Sequence, residues 1–254
     1  MCLLLFAHDA HPRYRLVVVA NRDEALARPA EQAHVWPDGP SIAAGRDREA
    51  GGTWLGITRA GRCAALTNVR DPGDLRPRAP GEPSRGALAS DFLRGDEAPL
   101  AYASRVAAEG ARYRGYNLVV GDARALAYTS NRGAAGARRV EPGLHGLSNH
   151  RLDTPWPKVT QGLSALRDAL AGGGPVDVDA LLSMMRDETP APDADLPDTG
   201  VGLELERRLS PRFIRLPAYG TRCTTVLLVE RSGAVSLVER THAPVPLGDV
   251  RITL

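Results

Sequence analysis

Two short apolar runs near the start of the chain, CLLLFA at 2–7 and RLVVVA at 15–20, set the strongest limit on the fold. Both are short, rich in leucine or β-branched residues, and apolar at odd and even positions alike. A strand that alternates apolar and polar leaves one face to water. A strand apolar on both faces needs a layer on each side. The chain is therefore expected to build a sheet covered on both faces. HDAHPRY, with Pro12 inside it, reads as the turn between the runs. An antiparallel hairpin centred near residue 11 pairs position 2 with a residue near 21. It brings Asn21-Arg22-Asp23-Glu24 back beside Cys2.

The same reasoning finds further hairpins. TWLGIT (53–58) and RCAALTN (62–68) pair about position 60, which places Gly51-Gly52-Thr53 near Thr67-Asn68. YNLVVGD (116–122) with ALAYTS (125–130), and RCTTVLLVE (222–230) with AVSLVER (234–240), repeat the pattern. Helical patterns cover 84–94 and 97–109. In 155–170, Val159, Leu163, Leu166 and Leu170 share one helix face. DVDALLSMM (177–185) is a second short helix. The stretch 70–86 is rich in Pro, Gly and charge and reads as a long loop, a candidate lid. Strands first, helices in the middle and strands last imply an α+β fold, an antiparallel sheet system covered by helices. No repeat or linker divides the chain, so one domain over 1–254 is expected.

Composition narrows the function. The 254 residues carry 32 basic and 30 acidic side chains, a net charge of +2, so no large field favours nucleic acid or an anionic membrane. The three cysteines, Cys2, Cys63 and Cys223, are an odd set without close pairing, which fits a reducing cytoplasm. No run approaches the roughly 18 apolar residues of a transmembrane segment. LLLF lacks the basic flank and length of a signal peptide, so a cytoplasmic protein is expected.

Cys2 has a property no other cysteine has. If Met1 is removed, the sulfur and the free α-amine belong to one residue. An α-amine has a pKa of about 7.7–8.0 and a thiol about 8.5, so the amine can accept the thiol proton as sulfur attacks a carbonyl. Such a nucleophile needs donors for the developing oxyanion and charges to hold amine and sulfur. The returning strand offers Arg22 for the sulfur and Asp23 or Glu24 for the ammonium. The plain alternative is a small buried Cys2 beside a charged strand end.

VVANRDE (18–24), AGRDREAGGTWLGIT (44–58), LTNVRDP (66–72), GLSNHRLDTPWPKV (146–159) and YGTRCTTVLLV (219–229) together resemble the NRDE family, the transport and Golgi organisation protein 2-like proteins. The resemblance runs nearly end to end. It implies a branch of the N-terminal nucleophile hydrolases and a four-layer αββα sandwich. A more distant likeness is to the penicillin V acylase and bile-salt hydrolase group, through the Met-Cys start and GITRAGRCAALTN (56–68). Gly56, Gly61, Cys63 and Asn68 fall in step there, while Thr58 and Arg59 depart. That likeness implies Asn68 as one oxyanion donor, Asn149 of Ser148-Asn149 as a second, and Arg222 as an active-site arginine ahead of Arg212 and Arg215. The expected catalytic set is thus Cys2, Arg22, Asp23, Asn68, Asn149 and Arg222. Asn21, Glu24, Trp54, Thr67 and His150 are expected at the substrate.

Two functions compete. One is a cysteine-dependent hydrolase of a small amide or related acyl substrate, without a cofactor. The other is a non-catalytic binding or trafficking protein that handles haem or lipid on the same scaffold. His8, Asp9 and His11 are too few for a metal centre and read as a solvated turn. Cys63 and Cys223 are expected as inert thiols inside strands. Gly51-Gly52 is expected at a tight turn or bulge, because no helix start follows to cradle phosphate.

Overall fold

The structure, a computed structural model, describes residues 2–39, 41–75, 79, 81–133 and 136–254. Six strands come first: β1 (Cys2–His8), β2 (Tyr14–Ala25), β3 (Ala30–Val35), β4 (Ile42–Asp47), β5 (Leu55–Thr58) and β6 (Cys63–Asn68). Helices α1 (Arg85–Arg94) and α2 (Pro99–Ala108) follow. Next come β7 (Tyr116–Gly121), β8 (Leu126–Ser130), β9 (Ala137–Val140) and β10 (Gly143–Leu147). After α3 (Pro157–Leu170), α4 (Val178–Met184) and α5 (Leu203–Leu209), strands β11 (Tyr219–Glu230), β12 (Val235–Thr241) and β13 (Val250–Thr253) close the order.

The strands form two antiparallel sheets, β10-β1-β2-β11-β12-β13 and β3-β4-β5-β6-β7-β8-β9. The two-faced apolar pattern of β1 and β2 now has its cause. Leu4, Phe6, Leu16 and Val18 pack between the sheets with Leu55, Ile57 and Val119. Leu3, Leu5, Val17 and Val19 pack outward on Val159 and Leu166 of α3 and Leu181 and Leu182 of α4. On the far side Leu118 and Val120 of β7 meet Leu88 and Phe92 of α1 and Tyr102 of α2. Three apolar seams separate four layers. Burying each such side chain contributes about 1.5–3 kcal/mol, so the seams are the main stabilising term of the fold.

The expected hairpins and helices are present, with three differences. Four strands, β7 to β10, divide the helices into two groups, so the helices do not form one central block. AEQAHV and IAAGRD form β3 and β4, and GLHGL forms β10 beside β1, although their alanines, glycines and polar residues carry little strand propensity. Gly146 of β10 suits its place, because a Cβ there would stand 2.5 Å from Val159 Cγ1 of α3. The third difference corrects the solvated histidine turn. His8 is 7% exposed and His11 4%. The His11 ring accepts the backbone N–H groups of Arg13 and Tyr14, and so caps the turn from inside. In the stretch 70–86, Pro72–Leu75 form one 3-10 turn and α1 begins at Arg85. Residues 76–78 and 80, where a lid was expected, lie outside the described residues.

Candidate functional site

Cys2 stands opposite Arg22 on β2, and Arg22 stands opposite Cys223 on β11. The hairpin register is therefore within one residue of the value that spacing gives. A polar cleft of about 210 Å³ opens over this row. Its walls include Cys2, Arg22, Asp23, Glu24, Trp54 and Asn68, with Arg85 and Gly86 from the start of α1. Gly52 lets the β4–β5 turn close on α1, since a Cβ there would lie 2.5 Å from the Gly86 carbonyl carbon. Gly51, at φ 76°, takes the left-handed turn conformation, and Gly52 serves the close backbone approach, in line with a tight turn.

The Cys2 residue is partly exposed through this cleft. Burial pushes its thiol up from the ordinary value, against the pull of positive charge and of the Asp23 backbone N–H donated to the sulfur. The thiol is therefore kept protonated at rest and needs a base at the moment of attack. Cys63 and Cys223 lie within β6 and β11 and are buried. Desolvation drives the Cys63 thiol up to about 12 and raises that of Cys223 well above its usual value. These two behave as inert core thiols.

Arg22 is 5% exposed and lies 4.0 Å over the Trp54 ring. Its guanidinium donates to Asp47 Oδ2 at 3.3 Å, and Arg28 grips the same carboxylate at 2.6 and 3.1 Å. Burial raises the Asp47 carboxyl, but Arg28, the Ala50 N–H and Arg22 outweigh it and keep the group ionised. The arginine is thus locked between an aromatic face and a carboxylate, which fixes its position beside Cys2.

Asp23 and Glu24 differ in environment. Asp23 is 1% exposed, and its Oδ1 accepts the Thr221 hydroxyl at 2.6 Å. Burial raises its carboxyl, opposed by nearby cations that include Lys158 and Arg70. Glu24 accepts the Ala25 N–H at 2.8 Å. Burial pushes its carboxyl up, yet positive charge at the chain start, that N–H, Arg22 and Arg28 bring it below the ordinary range. Behind Asp23 lies a second charged layer. Lys158 of α3 is 3% exposed, donates to the Leu209 carbonyl at 2.9 Å, and is driven by burial and by Arg70 down to about 8. Arg70 pairs with Glu206 of α5 and stacks over Trp156 at 4.9 Å.

Asn68 and Asn149 are adjacent but not equivalent. Asn68 lines the cleft. The Asn149 amide donates to the Asn68 carbonyl at 2.9 Å, and its side-chain oxygen accepts the Ser148 hydroxyl at 3.2 Å. Thr67 faces away from the cleft, donating to the Ser148 carbonyl at 2.7 Å and accepting from Asn117. His150 bonds Thr154 and leans on Trp156. Arg222 is spent on the carbonyls of Ala25, Arg28 and Ala243, in a neighbouring cavity that shares Arg22 and Trp54 with the cleft. The structure therefore gathers Cys2, Arg22, Asp23, Glu24, Trp54 and Asn68, and leaves Thr67, Asn149, His150 and Arg222 outside the lining.

Asn21 also lies outside. Its amide donates to the carbonyls of Met185 and Arg212 at 3.0 and 2.7 Å, and its oxygen accepts from Thr224, which also bonds His242 Nε2 at 2.8 Å. Burial, with Arg186 and Arg240 nearby, pushes the His242 imidazole down to about 4. The unfolded chain takes that proton near pH 6.5 and the folded chain near 4. Between those values the unfolded state binds more protons, so stability falls as pH drops. Urea unfolding from pH 7 to 4 should show this slope, and His242→Gln should flatten it. An equal slope in the variant would remove the assignment.

The sequence profile of the family described as Transport and Golgi organisation 2 matches residues 1–244. The chain belongs to that family. It is 38% identical over 259 residues to the transport and Golgi organization protein 2 homolog of Bos taurus, covering 94% of this chain and 92% of that protein. The Homo sapiens homolog is 36% identical over 259 residues with the same coverage. Among solved structures, the C2A mutant of a conjugated bile acid hydrolase from Clostridium perfringens matches with TM-score 0.55. It is 8% identical, covering 100% of this chain and 92% of that chain. The fold of this transport and Golgi organisation 2 family member is thus α+β, a four-layer αββα sandwich of the N-terminal nucleophile hydrolase type.

Several groups at the site escaped the sequence reading: Arg28, Asp47, Arg85 and the layer of Arg70, Lys158 and Glu206. One signal was present. Lys158, the only lysine of the chain, lies four residues before Gly162, eight before Leu166 and twelve before Leu170, on the apolar face of α3. A lysine on such a stripe is buried and needs a partner. No helix of the described residues is long and apolar enough to cross a membrane.

Proposed function

We propose that this protein is a cysteine-dependent N-terminal nucleophile hydrolase acting on an amide or related acyl bond of a small molecule. The observation that carries the reading is the cleft itself. The chain's leading cysteine opens into it between a locked arginine, two carboxylates and an asparagine whose side chain makes no hydrogen bond among the described residues. A protonated thiol suits a mechanism in which the base acts only during attack.

With Met1 removed, the α-amine of Cys2 takes the thiol proton as sulfur bonds to the substrate carbonyl carbon. The oxyanion receives the Asn68 amide, with Asn149 holding the Asn68 main chain in place. The intermediate collapses, the C–N bond breaks, and the departing nitrogen takes the proton from the ammonium. Water then attacks the thioester and gives its proton to the α-amine. The carboxylic acid leaves, and the proton returns to sulfur. Arg22 and the Asp23 N–H favour the thiolate, while Asp23 and Glu24 supply negative charge for the ammonium.

Met1 lies outside the described residues, so intact mass spectrometry is the direct test. The purified protein should lack Met1. An activated acyl probe should add one acyl group at Cys2, released by hydroxylamine, and Cys2→Ala should take none. Retained Met1, or equal labelling of Cys2→Ala, would overturn the reading.

A further inference from the structure

Among the described residues, the arginines of the cleft are each held by a carboxylate with one exception. Arg22 and Arg28 share Asp47, and Arg28 also meets Glu49 at 3.2 Å. Arg114 is held by Glu82 at 2.9 Å. Among the described residues the Arg85 side chain makes one hydrogen bond, from Nη1 to the Gly115 carbonyl at 2.9 Å, and has no carboxylate partner. The residues outside that description include no aspartate or glutamate, so the chain offers none there. Burial is the main influence on the Arg85 guanidinium and disfavours its charge; the charge of Asp74 opposes this, Arg114 adds to it, and Glu24 and Cys2 act more weakly. Its backbone is fixed where Gly86 meets Gly52, so the side chain starts from a set position on the cleft wall. A largely desolvated guanidinium with one neutral acceptor among the described residues has most of its fork unused there. A carboxylate would satisfy it with charge-assisted bonds.

We propose that Arg85 binds an anionic group of the substrate, so that the amide or acyl compound cleaved at Cys2 is a compact carboxylate-bearing one. This rests on the hydrolase reading above and narrows it. The cleft volume of about 210 Å³ suits a small group beside Cys2. Glu24, held ionised beside the same sulfur, disfavours a second negative charge on that wall and so orients the anion toward α1.

Two alkylating reagents test it without knowledge of the substrate. Iodoacetate and iodoacetamide react alike: sulfur bonds to carbon, iodide leaves with the bonding pair, and the thiol proton passes to a base. They differ in charge. The ratio of iodoacetate to iodoacetamide rates at Cys2, followed by mass spectrometry, should exceed that of free cysteine by about tenfold, as one charge-assisted contact of roughly 1.5 kcal/mol provides. Arg85→Gln should lower the ratio to the free-cysteine value, and Arg85→Lys should recover part of it. Acetate should also protect wild-type Cys2 from iodoacetamide better than acetamide does, a measurement that needs no variant. A wild-type ratio equal to free cysteine, or a ratio unmoved in folded Arg85→Gln, overturns the anion site and leaves the nucleophile standing. Failure of both reagents to modify Cys2 overturns the nucleophile reading as well.

Discussion

Asn68→Ala should slow acyl transfer to Cys2 by about 10²–10³-fold, the cost of one lost oxyanion donor. The expected loss is large because the Asn68 side chain, which lines the cleft, makes no hydrogen bond within the described residues. Its amide is free to donate to a ligand. The backbone of Asn68 is already set by pairing with Tyr116 on β7 and by the bond its carbonyl accepts from Asn149. Removing a partly exposed side chain with no internal partner should change stability by less than about 0.5 kcal/mol. The control is alkylation of the same sulfur by iodoacetamide, which passes through no tetrahedral oxyanion. A selective loss of acyl transfer identifies a donor to the oxyanion. An equal loss in both reactions would mean that Asn68 shapes the cleft instead.

That contrast bears on how much of the site could be read in the sequence. Hairpin spacing placed residues 21–24 beside Cys2, because antiparallel pairing is arithmetic once the turn is known. The structure gives Cys2 opposite Arg22. Alternation separates Asn21 from Arg22, while Asp23, in step with Asn21, still reaches the cleft beside the register shift between Thr221 and Cys223. Leu3 and Leu5 pack on the helices while Leu4 and Phe6 pack between the sheets. Asn21 is thereby turned to the helix side, where Met185 and Arg212 consume its amide. Thr67 and Asn68 divide in the same way. Spacing along one chain could not reveal Asp47 or Arg85, which arrive from the second sheet and from α1. Their approach depends on how two sheets stack and on the Gly52–Gly86 contact, both of which are long-range packing facts. Arg222 shows the converse. It stands next to Cys223 in a strand that crosses the site, yet three backbone carbonyls hold its guanidinium on the other side of the Arg22–Trp54 wall.

The charged layer beneath Asp23 leads to the largest expected effect on stability. Glu206→Leu should cost about 3–5 kcal/mol, the range for removing one partner of a buried ion pair. Arg70 and Glu206 are 5% and 3% exposed at their side chains, so water cannot replace the lost carboxylate. Glu206 also accepts the Thr199 N–H at 2.9 Å and the Thr199 hydroxyl at 2.5 Å, and both donors lose their acceptor in the variant. The positive charge left on Arg70 lies beside Lys158, whose ammonium burial already disfavours. The double variant Arg70→Met, Glu206→Leu removes both charges and should recover most of the loss, since an apolar pair of similar volume replaces a desolvated one at little cost. An exposed pair provides the reference. Arg112 and Glu109, 65% and 41% exposed, meet at 2.7 Å, and Glu109→Gln should shift stability by no more than about 1 kcal/mol. Urea midpoints of the four proteins decide the matter. If Glu206→Leu unfolds at the wild-type midpoint, the pair is not the buried anchor of this layer. If the double variant is no better than the single, the loss comes from the Thr199 bonds and from packing against α5, with little contribution from charge.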